Sequence, residues 1–275
     1  MIVLKEIPPN PMLCEFVRLY RVIDFKFPDK TPIPPKAYPP RPEHCLQFFT
    51  TPNTISYDHG RKVITVKQSL LAGQHTELNT RAFYNDLLSF QIVFQPGALY
   101  RLLGIPTGEF TNRVIEADEV FGKEIAEIGE KLYDASGYDE MIRIGERFVL
   151  NRLGKLKKDA HALDRFSQQM LMENGCSSLD RFIDGACLSH RQFDRKFLER
   201  IGVGAKEFMR VARFYQTYLT KNRYPMKDGL TLALECGYYD YQHLSRDFKE
   251  FTGYTPKQFF ALDSPERKLG SEEVY

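Results

Sequence analysis

Residues 230–260 read LTLALECGYYDYQHLSRDFKEFTGYTPKQFF, and this stretch decides the fold of the C-terminal part of the chain. The apolar run Leu230, Leu232, Ala233 and Leu234 has helical spacing and ends at Gly237, a residue free to take the left-handed conformation that closes a helix. Tyr238 and Tyr239 fill the turn, and Asp240 stands where an N-cap belongs. A second helix is expected after it, with Leu244, Phe248 and Phe251 on one buried face at i, i+4 and i+7. Gly253 stops that helix, and Pro256 begins the next segment. Helix, glycine turn and capped helix together are the layout of a helix-turn-helix.

Composition sets the frame for this unit. A chain of 275 residues, 43% hydrophobic and 27% charged, has the make-up of an ordinary soluble protein and the length of two domains. A net charge of only +2 excludes a uniformly basic wrapper for nucleic acid. The five cysteines (Cys14, Cys45, Cys176, Cys187, Cys236) are odd in number and scattered without a C-x-x-C pair, so neither a disulfide framework nor a zinc finger is indicated. No apolar run has membrane-spanning length, and the N-terminus MIVLKEIPPN lacks a signal peptide's basic and apolar regions. The expected location is a reducing cytoplasm, with no membrane partner.

Upstream, the pattern is first extended and then helical. Met12–Phe27 is rich in β-branched and aromatic residues, with a short helix as the alternative around Phe16. Seven prolines between Pro28 and Pro42 indicate an extended loop. Strands are expected over His44–Thr51, Thr54–Tyr57, Lys62–Gln68, Ser69–Gln74 and Leu87–Phe94, with a hairpin turn at Asp58-His59-Gly60. The character changes at Gln95-Pro96-Gly97. Helices are expected over Ala98–Leu103, from Asp118 through the Ile125, Ile128, Leu132 stripe, and over Tyr138–Leu153, with Met141, Ile144, Phe148 and Leu150 near one face. The run Gly154-Lys155-Leu156-Lys157-Lys158 is the candidate linker. Beyond it helices are expected over Asp159–Glu173, after Ser177 or Ser178 with Leu179, Phe182 and Ile183 inward, after Ser189, and over Lys206–Lys221 with Tyr215, Tyr218 and Leu219 among the residues available for burial. The fold class is therefore α+β. A β-rich domain with trailing helices (1–153) and a linker (154–158) precede an all-α domain of two helix-turn-helix units (159–262), and an acidic tail (263–275) follows.

The second unit follows from an internal repeat. At an offset of 51, Phe193 matches Leu244, Arg195 matches Arg246, Phe197 matches Phe248, Glu199 matches Glu250 and Gly202 matches Gly253. Lys206 and Phe208 continue the match with Lys257 and Phe259. Before the turn the offset is 50, pairing Ile183 with Ala233 and Cys187 with Gly237. Two such units joined by one helix place two recognition helices in successive DNA major grooves, roughly 34 Å apart.

The tandem resembles the DNA-binding domain of the AraC/XylS family of bacterial transcription regulators. The match is carried by Ala233, Gly237, Tyr238, Leu244, Arg246, Phe248, Lys249, Gly253, Thr255, Pro256 and Phe259, which agree with the family pattern at every fixed position. The first unit departs from it: Ile183 and Cys187 stand where Ala and Gly are common, and Ala205 where Pro is common. The resemblance covers about 163–262. Residues 1–153 resemble an N-terminal domain found in some members, through the run SFQIVFQPGALYRLLGIPTGEFTNRVIEADEVFG. It implies double-stranded DNA as partner, a first domain that senses a small-molecule effector or mediates a homodimer, and RNA polymerase as a further partner of an activator.

The chemistry-bearing residues fit that reading. From His190 to Arg223 nine Lys/Arg face three acids, a local charge of +6 suited to phosphate contacts. The alternative for this run is a solvated helix face. Base reading is assigned to His190, Arg191, Asp194 and Arg195 in the first unit and to Tyr241, Gln242 and Arg246 in the second. Arginine can bond guanine O6 and N7 together, and Gln242 can pair with adenine N6 and N7. For Arg195 and Arg246 a structural salt bridge or a phosphate contact is the competing reading. Lys196 is assigned to the backbone, and His243 and Lys249 are phosphate neighbours or solvated. Phe193, Phe197, Leu244, Phe248 and Phe259 belong to the core, and Cys187 and Cys236 are read as buried small hydrophobes. His44, Cys45, His59, His75 and Glu77 lack the spacing of a metal site, and the histidines are better read as surface or turn residues; neither metal nor cofactor is expected. No P-loop, G-x-S-x-G, H-E-x-x-H or dinucleotide fingerprint occurs, and no enzyme is indicated. The rivals to a sequence-specific regulator are a DNA-binding protein without an effector and an enzyme built on the β-rich domain.

Overall fold

The computed structural model describes residues 2–26, 36–50, 55–59, 62–66, 68–83 and 86–261. Of the expected turn Asp58-His59-Gly60, Asp58 and His59 are instead strand residues paired with Val63 and Lys62, while Gly60, most of the proline-rich loop and the acidic tail lie outside the described residues. The described residues of the N-terminal part form ten strands: β1 Ile2–Ile7, β2 Val17–Phe25, β3 Lys36–Tyr38, β4 Cys45–Phe49, β5 Ile55–His59, β6 Lys62–Val66, β7 Ser69–Ala72, β8 Asn79–Phe83, β9 Leu87–Phe94 and β10 Val114–Glu116. They form two antiparallel sheets, one of six strands in the order β1-β2-β9-β4-β7-β10 and one of four in the order β3-β8-β5-β6. Four helices follow or interrupt them: α1 Ala98–Leu103, α2 Asp118–Phe121, α3 Glu124–Tyr133 and α4 Tyr138–Leu153. Strand β10 comes after α1 and still pairs with β7, so the β-rich region extends past the change of character at Gln95.

The six-stranded sheet is buried on both faces, and the period-2 alternation sorts its side chains. Tyr20, Val22, Leu46, Phe48, Phe90, Ile92 and Phe94 pack with Leu99, Leu102, Phe121, Ile125, Leu132, Met141 and Phe148 of the helices. Leu150, expected on the same face of α4, is exposed. Arg21, Cys45, Gln47, Phe49, Gln91 and Val93 alternate with the first set and are buried too. Phe49 and Val93 pack there with Tyr38 of the smaller sheet. The expectation of surface or turn histidines fails for His44 and His75, both of which are buried. Burial pushes the His44 imidazole down to about 4, which keeps it neutral. Among the described residues no group of three His, Cys, Asp or Glu is placed to hold a metal.

The C-terminal part is helical: α5 Ala162–Met172, α6 Leu179–Ala186, α7 His190–Ile201, α8 Ala205–Arg223, α9 Gly229–Glu235, α10 Tyr241–Thr252 and α11 Pro256–Ala261. No helix among the described residues is long and apolar enough to cross a membrane. Helix α5 starts three residues later than expected because His161 caps it: its Nδ1 accepts from Leu163 N, and Asp164 accepts from His161 N. The expected core residues Phe193, Phe197, Leu244, Phe248 and Phe259 are all buried. Cys236 is buried as expected, whereas Cys187 is exposed. Its backbone explains why. Cys187 ends α6 at φ 53°, the left-handed conformation that Gly237 adopts at φ 77° in the second unit. The residue turns the chain and does not fill the core.

Helix α8 serves both units. Ala205, Phe208 and Met209 pack with Phe182, Phe193 and Phe197, while Val211, Phe214 and Tyr218 pack with Leu232, Leu244, Phe248 and Phe259. Leu219 ends at the surface.

The domains meet at the end of α7. Gly202 caps α7 at φ 94°, and a Cβ added there would lie 2.9 Å from Thr111 Oγ1 and 3.0 Å from the Thr107 carbonyl oxygen. Both threonines belong to the single turn Thr107–Phe110 and its end. Gly202→Ala should therefore lower stability by at least about 1 kcal/mol, from left-handed strain alone. Thermal or urea denaturation measures this, and an unchanged melting temperature would count against the docked geometry.

Candidate nucleic-acid interface

Each expected recognition helix is capped by its own sequence. Ser189 Oγ accepts from Gln192 N at 3.4 Å, and Gln192 Oε1 accepts from Ser189 N at 3.1 Å, closing a capping box on α7. Asp240 Oδ1 accepts from His243 N at 2.6 Å at the start of α10. Phe193, Phe197 and Ile201 on α7 and Leu244, Phe248 and Phe251 on α10 turn inward, which fixes the opposite faces toward solvent.

Those faces carry the residues singled out from the sequence. His190, Arg191, Asp194 and Arg195 are exposed on α7, and Lys196 is half-buried. Tyr241, Gln242, Arg246 and Lys249 are exposed on α10. His243 is half-buried, its ring edge-on to Tyr238 at 5.1 Å. Arg195 and Arg246 make no ion pair or hydrogen bond with other described residues, so the structural salt bridge considered for them is absent.

The basic run divides between fold and surface. Arg200 is buried and pairs with Asp164 at 2.5 Å and 2.6 Å. Arg210 reaches Asp247 at 2.7 Å and Glu250 at 2.6 Å. These hydrogen bonds raise the Arg210 pKa and hold the Glu250 carboxyl below its ordinary range. Arg213 donates to the Gly175 carbonyl at 2.8 Å. Arg200 and Arg210 thus join helices together, and Arg213 ties α8 to the loop after α5. Arg191, Arg195, Lys196 and Lys206 carry no such bond among the described residues.

A groove of about 580 Å³ runs between the two units, with Lys206, His243 and Arg246 on its walls. In the sequence Lys206 was one of nine basic residues and the repeat partner of Lys257, with no sign of a groove. Its place in a groove beside Arg246 depends on the packing of α8 against α10.

The opposite ends of the recognition helices are held by the N-terminal domain. Tyr100 donates to Glu199 Oε1 at 2.5 Å, Thr111 Oγ1 to the Gly202 carbonyl at 2.6 Å, and Thr107 Oγ1 to the Glu199 carbonyl at 3.4 Å. Leu78 N donates to the Phe251 carbonyl at 3.0 Å. Helix C-termini leave carbonyls without intrahelical donors, and these contacts supply them. Nothing in the periodicity of either segment signals them.

Residues 183–261 match the family described as a helix-turn-helix domain, and residues 5–116 match one described as a domain of unknown function (DUF6597). No curated protein matches the chain. Among solved structures, ToxT from Vibrio cholerae at 1.65 Å is similar over 87% of this chain and 96% of its own, at 11% identity and a TM-score of 0.47. Wild-type ToxT of Vibrio cholerae strain SCE256 bound to unsaturated fatty acid is similar over 88% and 94%, at 14% identity and a TM-score of 0.46. The AraC-like transcriptional activator CuxR is similar over 78% and 86%, at 14% identity and a TM-score of 0.27.

The division of the arginines has a measurable consequence. Arg195→Ala and Arg246→Ala should each leave folding stability within about 0.5 kcal/mol of the parent. Arg210→Ala should cost about 2–3 kcal/mol, because Asp247 stays buried without its partner. Urea melts of the three variants give the comparison; a large loss for Arg246→Ala would show that it supports the fold.

Proposed function

We propose that this chain, a DNA-binding transcription regulator with an AraC-type helix-turn-helix domain at its C-terminus, reads a specific DNA sequence with α7 and α10 in successive major grooves. One observation carries this reading: both helices present exposed, unpaired side chains from a single helix buried in both cores. Arg191, Arg195, Gln242 and Arg246 then contact base edges, together with His190, Asp194 and Tyr241. Lys196, His243 and Lys249 contact phosphates. Lys206, in the groove, would extend that phosphate-binding surface.

The working division of the chain is a regulatory part over 1–153, a linker over 154–158, a DNA-binding part over 159–262 and a tail over 263–275. The linker is short and tied: the Lys157 and Lys158 amides donate to the Arg101 carbonyl. The regulatory part holds a small-molecule effector or a second copy of the chain. RNA polymerase is a further partner where the protein activates, and the cytoplasm is the expected location.

Base reading and backbone contact separate by mutation. Gln242→Ala should relax preference at one position of the selected site and cost about 1–3 kcal/mol there. Lys196→Ala should weaken all sequences about equally. Equal losses on specific and random DNA for Gln242→Ala would remove it from the base-reading set.

Selection from a random DNA pool tests the arrangement itself. The enriched sites should hold two contacted segments about one helical turn apart on one face. Inserting about five base pairs between them turns one segment to the far side, and a helix buried in both cores cannot follow. Most specific affinity should then be lost. Unchanged affinity after insertion, with loss on Arg246→Ala, would leave α10 as the sole reader.

A further inference from the structure

Two of the five cysteines meet where the helix-turn-helix units touch each other. Cys176 lies in the loop between α5 and α6 and is exposed. Cys236 is buried at the end of α9, in the cluster that holds Leu232, Ala233 and Tyr238. The Cys176 thiol donates to the Cys236 carbonyl at 3.7 Å. A Cβ added at Gly237, the next residue, would collide with the same sulfur. The thiol of the first unit therefore lies directly on the turn of the second.

The loop is fixed in that position. Gly175 stands at φ 68°, and a Cβ there would collide with the Met209 carbonyl of α8. Gly175 N donates to the Met170 carbonyl of α5 at 2.8 Å. The Arg213 guanidinium of α8 donates to the Gly175 carbonyl at 2.8 Å. Cys176 is thus held against the turn from both helices. The positive charge of Arg213 also favours the Cys176 thiolate, but burial opposes it and prevails, so the thiol pKa is raised. Cys176 is open to a small oxidant and stays protonated at neutral pH, which makes it a slow-reacting thiol.

We propose that Cys176 is an oxidation site, that hydrogen peroxide is its oxidant and that Cys236 is the thiol that resolves it into a disulfide. The Cys176 thiolate attacks one peroxide oxygen, the O–O bond breaks, and a sulfenic acid forms as hydroxide leaves and takes up a proton. The Cys236 thiolate then attacks the sulfenic sulfur; the S–S bond forms, the S–O bond breaks and a second water leaves. Two thiols give up two electrons and two protons, and one peroxide is reduced to two waters. Bonding to Cys176 draws Cys236 out of its apolar cluster, and the turn that follows it moves as well. That turn ends at Asp240, the cap of α10, with Tyr241 and Gln242 directly after it. Oxidation thereby displaces the start of α10 and lowers DNA affinity. The site goes beyond the DNA-reading proposal, and only its consequence rests on it.

The test uses the full chain, first reduced and then exposed to hydrogen peroxide. Digestion without reductant, followed by mass spectrometry, should find the Cys176 peptide joined to the Cys236 peptide of the same chain. Affinity for the selected DNA site should fall by roughly tenfold or more, and dithiothreitol should restore it. Cys176→Ser should bind DNA as the parent does when reduced and keep its affinity after peroxide. Cys14→Ser should respond to peroxide like the parent. Bonds through Cys14 or Cys187 instead, bonds between chains, or an equal loss of affinity in Cys176→Ser would overturn the assignment. A joined Cys176–Cys236 peptide with unchanged affinity would overturn the effect on DNA reading. The peptide map of the unaltered chain decides the site even where a variant folds poorly. A reduced chain that binds no DNA overturns the proposed function, and the same map still decides the oxidation site.

Discussion

Helix α8 must satisfy two hydrophobic cores at once, and the arrangement of the C-terminal domain depends on that requirement. Phe208 and Phe214 sit six positions apart, one stacked edge-on to Phe197 and the other to Phe248 and Phe251. Removing either ring would cost about 3–5 kcal/mol, comparable to the stability of a whole small domain. The two units are therefore fixed on a common shaft. Their relative rotation follows from residue spacing along α8, without a flexible connection to set it.

Ion pairs refine what the apolar contacts establish. Arg200–Asp164 joins α7 to α5, and Arg210–Asp247 joins α8 to α10. Buried pairs add little net stability over apolar substitutes, but losing one partner is costly. Each pair therefore discriminates strongly against a shifted helix register. Asp164 does three things at once: it caps α5, holds Arg200 and lies against Gly97 of the N-terminal domain, where a Cβ would come within 2.3 Å of its Oδ1.

Local signals were legible in the sequence, and long-range ones were not. The extents of β9, α1 and α4 agree with the pattern reading: Gly97 and Gly104 bracket α1, Gly137 and Gly154 bracket α4, and Pro96 lies just beyond β9. The caps Ser189 and Asp240 were likewise legible. The strands β1 and β10 depend on partners elsewhere: β10 pairs with β7 across some forty residues of chain. The buried polar residues of the sheet were hidden because Arg21, Gln47 and Gln91 break the apolar alternation on a face that is nonetheless buried, and Arg21 finds Glu43 only once β2 and β4 flank β9. Charge counting overestimated the free basic surface of residues 190–223, since Arg200, Arg210 and Arg213 bond acids or carbonyls outside the counted window. For α7 and α10, sequence spacing sufficed to place His190, Arg191, Asp194, Arg195, Tyr241, Gln242, Arg246 and Lys249 on exposed helix turns.

The contacts at the far ends of α7 and α10 make the two domains thermodynamically dependent. Carbonyls of Glu199, Gly202 and Phe251 are satisfied by Thr107, Thr111 and Leu78 of the N-terminal domain. Separating the domains would return those groups to water and expose the apolar surface around them, so the docked arrangement is favoured by an amount set jointly by both partners. Any ligand that prefers the docked domain pair over the separated one, or the reverse, changes the population from which DNA is bound. The same free energy must then appear when DNA is bound first and the ligand second, because coupling between two binding equilibria is reciprocal. Helices α7 and α10 are thus gripped at one end by the N-terminal domain and left open at the other. A displacement of the N-terminal domain at those three hydrogen bonds bears directly on α7 and α10.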